Sequence, residues 1–131
     1  MRTLLVVSFL AFAACSTARV PMSELIVGHW NMKKVILDKT DDVTSEHNPE
    51  ENRFVKFKAN HTYESGGDPY GPSSGKWTLD RSSGVLHIDS DAGEDDDSYW
   101  IVTIDGDKMH WQGTHFEFNS RFAISYIRDA Q

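Results

Sequence analysis

Leu25-Ile26-Val27-Gly28-His29-Trp30-Asn31-Met32 sets a glycine two residues ahead of a tryptophan at the head of a β-rich run. The last such run, Phe122-Ala123-Ile124-Ser125-Tyr126-Ile127-Arg128, ends on an arginine. Six more short apolar-aromatic runs lie between them, separated by turn residues. From residue 25 onward no segment keeps apolar residues at three-and-four spacing over three turns, whereas period-two alternation recurs. Within 26–37, Trp30, Met32, Lys34 and Ile36 share one face. Within 53–58, Val55 and Phe57 point inward while Lys56 and Lys58 point out. The turn Ala59-Asn60-His61-Thr62 leads into a run around Tyr63; the next two carry Trp77 with Leu79 and Leu86 with Ile88. Trp100, Val102 and Ile104 mark 98–105, Asp105-Gly106 is a two-residue hairpin signal, and Met109 and Trp111 follow. Eight runs with one apolar face each predict an all-β, eight-stranded antiparallel up-and-down barrel, because rolling the sheet removes its open edges.

The connections give this barrel a direction. Four are long, at 38–52, 66–75, 89–98 and 112–120, and they alternate with three tight turns. Alternate connections of a meander share one end, so the long loops form a mouth and the other end is a closed base. The first run starts at that base and the last finishes there. Trp30 and Arg128 are therefore expected side by side, the guanidinium over the indole contributing about 0.5–2 kcal/mol.

Gly28-His29-Trp30, the Phe57…Thr62-Tyr63 turn, Gly75-Lys76-Trp77 and the terminal strand ending in Arg128 together resemble the lipocalin-like (calycin-type) domain of small bacterial envelope lipoproteins. The likeness spans about residues 25–128, with Asn60-His61 where that turn usually has Asp-Gly. It implies a calycin-type barrel, a base closed by Gly28, Trp30 and Arg128, and small-molecule binding.

Arg2 precedes the apolar segment from Leu4 to Ala14, which is too short to cross a bilayer comfortably and leads through small residues to Cys15, the only cysteine. Two readings fit. Phe12-Ala13-Ala14-Cys15 resembles a lipobox, with residues 1–14 a lipoprotein signal peptide, Cys15 the lipidated (palmitate-type) N-terminus and 15–24 a tether. The alternative is ordinary signal cleavage after Ala13, leaving a free thiol. Under the first reading the barrel domain is 25–131 and the tether spans at most about 30 Å. With no acidic run in Ser16-Thr17-Ala18, analogy with envelope lipoproteins suggests an outer-membrane anchor facing the periplasm.

A formal charge of −7 over 131 residues disfavours nucleic acid as a partner. Fourteen of the 20 acids fall in the four long connections, with Lys39 the one base there. The mouth is therefore expected to be acidic and the base basic. That polarity suits a membrane-facing base and favours a neutral or cationic ligand, or a basic protein, at the mouth. Screening over about 8–10 Å limits the discrimination.

Residue chemistry points to binding rather than catalysis. Asp89-Ser90-Asp91-Ala92-Gly93-Glu94-Asp95-Asp96-Asp97 offers many oxygens, but its glycine is at the fifth position and Trp100 stands where an EF-hand has its last carboxylate. A solvated loop is the simpler reading. The histidines at 29, 47, 61, 87, 110 and 115 show no ligand spacing, so no metal is expected. By parity His29, His87 and His110 face outward; His47 and His115 belong to the mouth. No nucleophile elbow or phosphate-binding glycine loop is present, and no cofactor is implied. Trp30, Phe57, Tyr63, Trp77, Trp100, Trp111, Phe122 and Tyr126 point inward, either as walls of a pocket or as a solid core. The candidate ligand-lining set is Met32, Lys34, Phe57, Tyr63, Trp77, Trp100, Trp111, Phe122 and Tyr126. The function expected is a membrane-anchored, non-catalytic module holding a small apolar or cationic ligand. The alternative is an interaction module whose acidic loops dock a basic partner.

Overall fold

A computed structural model describes residues 20–93, 96–114 and 118–130. Strand β1 (Gly28–Leu37) is followed by the two-residue β2 (Asp41–Asp42), β3 (Phe54–Phe57), β4 (Thr62–Gly66) and β5 (Ser73–Leu79). β6 (Val85–Ser90), β7 (Ser98–Asp105), β8 (Lys108–Gly113) and β9 (Phe122–Arg128) complete the sheet. Each strand pairs antiparallel with its sequence neighbour, apart from β2, which only flanks β1. β9 returns to pair with β1 from Trp30↔Arg128 to Leu37↔Phe122. The result is a closed eight-stranded up-and-down barrel, with β2 paired to the upper end of β1. Its long connections 38–53, 67–72, 91–97 and 114–121 all leave from the rim opposite Gly28.

Two short helices depart from the all-strand reading. α1 (Met22–Leu25) is one turn within the segment read as tether; it lays Met22 on the core and delivers Ile26, fully buried, beneath the barrel. Strand pairing consequently begins at Gly28 rather than Ile26. α2 (Thr44–His47) is another single turn, in the β1–β3 connection. Four residues are too few to show a helical period. A 3₁₀ turn (Phe118–Arg121) precedes β9. The hairpin after β7 also shifts by one residue: Asp105 pairs with Lys108, leaving Gly106-Asp107 as the loop, with Gly106 at φ +58°.

β1 carries a bulge between Met32 and Lys34. The extra residue inverts the alternation, so Val35 is buried whereas Lys33 and Lys34 are exposed. Lys34, expected inside, therefore faces solvent. Inverting the pleat spares an ammonium the cost of desolvation and puts an apolar side chain in its place.

β3 pairs with β1 only from Gly28 to Asn31, so the upper half of β1 lacks a full partner strand on that side. The connection folds back to supply one. Asn48, buried, donates from Nδ2 to the Met32 carbonyl at 3.1 Å and accepts the Arg53 N–H at 3.0 Å. The Val35 N–H reaches Thr44 Oγ1 at 3.0 Å, and β2 takes Ile36 and Leu37. Backbone polar groups that the bulge and short strand would orphan are satisfied in this way.

The core is solid in its lower half. Ile26, Trp30, Phe57, Trp77, Leu86 and Met109 are each at most 1% exposed.

Candidate functional site

Two features are built from residues far apart in sequence. The first is the base. The Trp30 indole Nε1 donates to the Ile26 carbonyl at 2.8 Å, and the Arg128 guanidinium lies 4.1 Å from the centre of the Trp30 ring. Arg128 Nη1 donates to the Val27 carbonyl at 3.0 Å and Nη2 to the Leu25 carbonyl at 2.6 Å. The guanidinium thereby ties off the carbonyls of the segment entering β1. Gly28 makes room for it: φ is +139°, and a Cβ there would stand 2.7 Å from Arg128 Nη1. The neighbouring base turn is tied by Trp77, whose Nε1 donates to the Lys58 carbonyl at 3.1 Å. His61 takes the left-handed conformation at φ +65° and stacks on Trp77 at 4.5 Å, so an aromatic contact accompanies a position where glycine is the easier residue.

The second feature is a cavity of about 600 Å³ in the upper half, open at the mouth. Met32, Tyr63, Trp100, Trp111, Phe122 and Tyr126 from the expected set line it, together with Val35, Val55, Ile88 and Ile124. Phe57 and Trp77 lie below, in the solid base, and Lys34 is outside. The floor is aromatic: Trp111 packs against Trp100 at 5.3 Å, Tyr126 at 4.7 Å and Phe57 at 6.1 Å.

Four side chains from separate elements meet over one side of the opening. His47 ends α2, Arg53 precedes β3, Tyr70 is in the β4–β5 connection and Phe122 starts β9. Tyr70 Oη and His47 Nδ1 are 2.7 Å apart, and His47 meets Phe122 edge-on at 5.4 Å. The Arg53 guanidinium sits 4.7 Å from the Tyr70 ring centre and donates to the His47 carbonyl at 3.0 Å. Tyr70 remains 60% exposed. Burial pushes the Tyr126 hydroxyl well above its ordinary pKa, and the charge of Arg53 pulls the other way.

Two charges stand elsewhere than expected. Arg53, outside the long connections read from sequence, is in the cavity wall, and Arg121 is at the rim, bonded to Asp38 by two N–H donors. These two arginines reduce the acidic excess of the mouth. Of the fourteen loop acids, Asp96 is the one lining the cavity among the described residues. Glu94, Asp95, His115 and Glu117 lie outside the described residues, as does the lipidation candidate Cys15.

In the 89–97 loop the acids serve the local fold. Asp97 accepts the Ser90 N–H at 3.0 Å and lies 3.6 Å from His87 Nε2, and Asp91 accepts from Ser74 Oγ at 3.2 Å. Among the described residues no three His, Cys, Asp or Glu gather as metal ligands. His29 and His87 are half-buried, stacking on Phe54 and Tyr99, and His110 is exposed.

Sequence reading set His47 in the mouth without singling it out, and missed Arg53 and Tyr70 as parts of the site. Arg53 had a signal, since it shares period-two parity with Val55 and Phe57. His47 and Tyr70 had none, because irregular connections have no period from which a side chain's direction is read.

A comparison with curated proteins returned no match. The structure of a DUF4847 family protein from Bacteroides vulgatus is similar, with a TM-score of 0.60 at 13% identity, covering 84% of this chain and 99% of that one. At that identity the likeness is one of fold. The lipocalin-like domain family matches residues 26–111, from the buried Ile26 to the Trp111 of the cavity floor, and the chain belongs to that family.

Proposed function

We propose that this barrel is a non-catalytic binding module that holds one small, mainly apolar molecule in its upper cavity. The observation that carries the reading is the division of the interior. The lower half is filled by side chains, while about 600 Å³ stays open above an aromatic floor, within the range of small-molecule sites. The wall offers shape and mainly apolar surface.

Neutral N-phenyl-1-naphthylamine tests this. It is expected to bind saturably at one site, with its fluorescence enhanced and that of Trp100 and Trp111 quenched by energy transfer. Non-saturable binding, or none, refutes cavity binding. If salt-sensitive capture of a basic protein accompanied that failure, docking through the exposed acids of the rim would replace it.

We further propose that the barrel is anchored through an acylated Cys15, with its base toward the outer membrane and its mouth toward the periplasm. The Arg2–Cys15 pattern supports this, as does the entry of the chain at the base through α1. A Cys15→Ala variant should leave the membrane fraction; one that stays there refutes the anchor.

A further inference from the structure

We propose that the molecule held in the upper cavity carries an anionic head group, a carboxylate or a phosphate, received by Arg53 and Tyr126. This rests on the cavity-binding reading above and adds the ligand's chemical class.

Arg53 is half-buried and lines an otherwise mainly apolar cavity. Its guanidinium makes one hydrogen bond, to the His47 carbonyl, and one ring contact, with Tyr70. Among the described residues no carboxylate pairs with it. Arg121 faces Asp38 and Arg128 faces Asp107, so the contrast lies within this molecule. A half-buried cation gives up part of its hydration, and an incoming anion offsets that loss through charge-assisted hydrogen bonds.

The surrounding wall supplies further donors. Tyr126 is 3% exposed, lines the cavity, and its hydroxyl has no hydrogen-bond partner among the described residues. Trp111, packed on Tyr126, has a buried Nε1–H that is also unpartnered. The register brings Arg53 and Tyr126 to one place: Met32 donates to the Arg53 carbonyl at 2.9 Å on one side and pairs with Tyr126 on the other. Among the described cavity-lining residues, the unpartnered buried acceptor is Asn119 Oδ1, at the rim. Asp96, the lining acid, precedes β7, half the strands around the ring from β3. An acidic outer rim does not reverse this preference, since screening weakens its distant charges.

Isothermal titration of the purified protein with decanoate, decyl phosphate, decanol and decylamine varies the head group at constant chain length. Decanoate or decyl phosphate should bind about ten- to a hundredfold more tightly than decanol. Whichever anion binds better separates a fatty-acid-like source from a phosphate-ester one. Arg53→Met should abolish the preference and leave decanol affinity within about twofold, with Arg53→Lys intermediate. Tyr126→Phe should weaken the anions by a smaller factor. Equal binding of decanol and both anions, tighter binding of decylamine, or a preference that survives Arg53→Met overturns the proposal while cavity binding stands. The wild-type series alone decides the matter if Arg53→Met does not fold. If neither these compounds nor N-phenyl-1-naphthylamine bind, the cavity reading fails and takes this proposal with it.

Discussion

Arg128 combines two roles at the base that a shorter or uncharged side chain cannot. It covers the indole face of Trp30 and donates to two carbonyls, those of Leu25 and Val27, which would otherwise end unpaired beside the barrel floor. Arg128→Met removes both roles. We expect a loss of about 2–4 kcal/mol in urea denaturation, and less than half of it recovered in Arg128→Lys, whose single ammonium cannot span two acceptors. At the opposite rim, Asp38 is held below the usual carboxylate range, first by its hydrogen bond from Arg121 and then by that residue's charge. Because the folded-state pKa is the lower one, this pair stabilises the protein above the unfolded carboxylate's pKa and ceases to do so as pH falls through the folded value. Asp38→Asn should therefore lower Tm at pH 6 and lose its effect near pH 2; a difference that persists in acid contradicts the assignment. Arg128 and Trp30 were readable from sequence because each sits in a periodic strand at one end of the chain. Arg53 was periodic too, but it stands just outside the long connections whose charge defines the mouth in the sequence. The contacts that expose its role come from α2 and the β4–β5 connection, where no pattern predicts geometry.

At the scale of elements, the β1 bulge decides which residues see the cavity. An uninterrupted alternation from Trp30 puts Lys34 and Ile36 inside, and no glycine or proline warns of the extra residue. The lysine at an inward position was itself the warning, because burying an unpaired ammonium costs more than inserting a bulge. The register yields a paired prediction. Lys34→Ala, on the exposed face, should change stability by no more than about 0.5 kcal/mol, while Val35→Lys, at a buried position, should cost about 3 kcal/mol or more. Thermal melts of the two variants with the opposite ranking would restore the straight register. The single-turn helices illustrate the same limit from another side. α1 falls largely within a segment that reads as polar tether, and α2 forms because the upper half of β1 needs hydrogen-bond partners. That is a demand of the folded barrel rather than of the local sequence. The eight barrel strands were legible because each keeps an apolar face, whereas the exposed Asp41–Asp42 pair of β2 does not; the alternation of long and short connections put the mouth at one rim.

On the scale of the whole molecule, eight strands give an interior that side chains can either fill or leave partly open, and this chain does each in a different half. Trp30, Phe57 and Trp77 fill the base; Trp100, Trp111 and Tyr126 form a floor beneath open space. Counting inward aromatics could not separate these outcomes, since a wall and a filling use the same residues and differ in depth. The acidic connections were legible as charge but not as direction: among the described residues Asp96 alone of their acids lines the cavity, and the cation in the wall comes from the edge of a strand. The most direct measurement is a crystal structure of the protein with 10-bromodecanol, located by bromine anomalous scattering. A hollow upper half predicts one bromine peak inside the barrel, among Trp100, Trp111 and Ile124. A peak confined to the outer groove beside Lys33, Asp42 and Asn48, or none inside, would contradict the account.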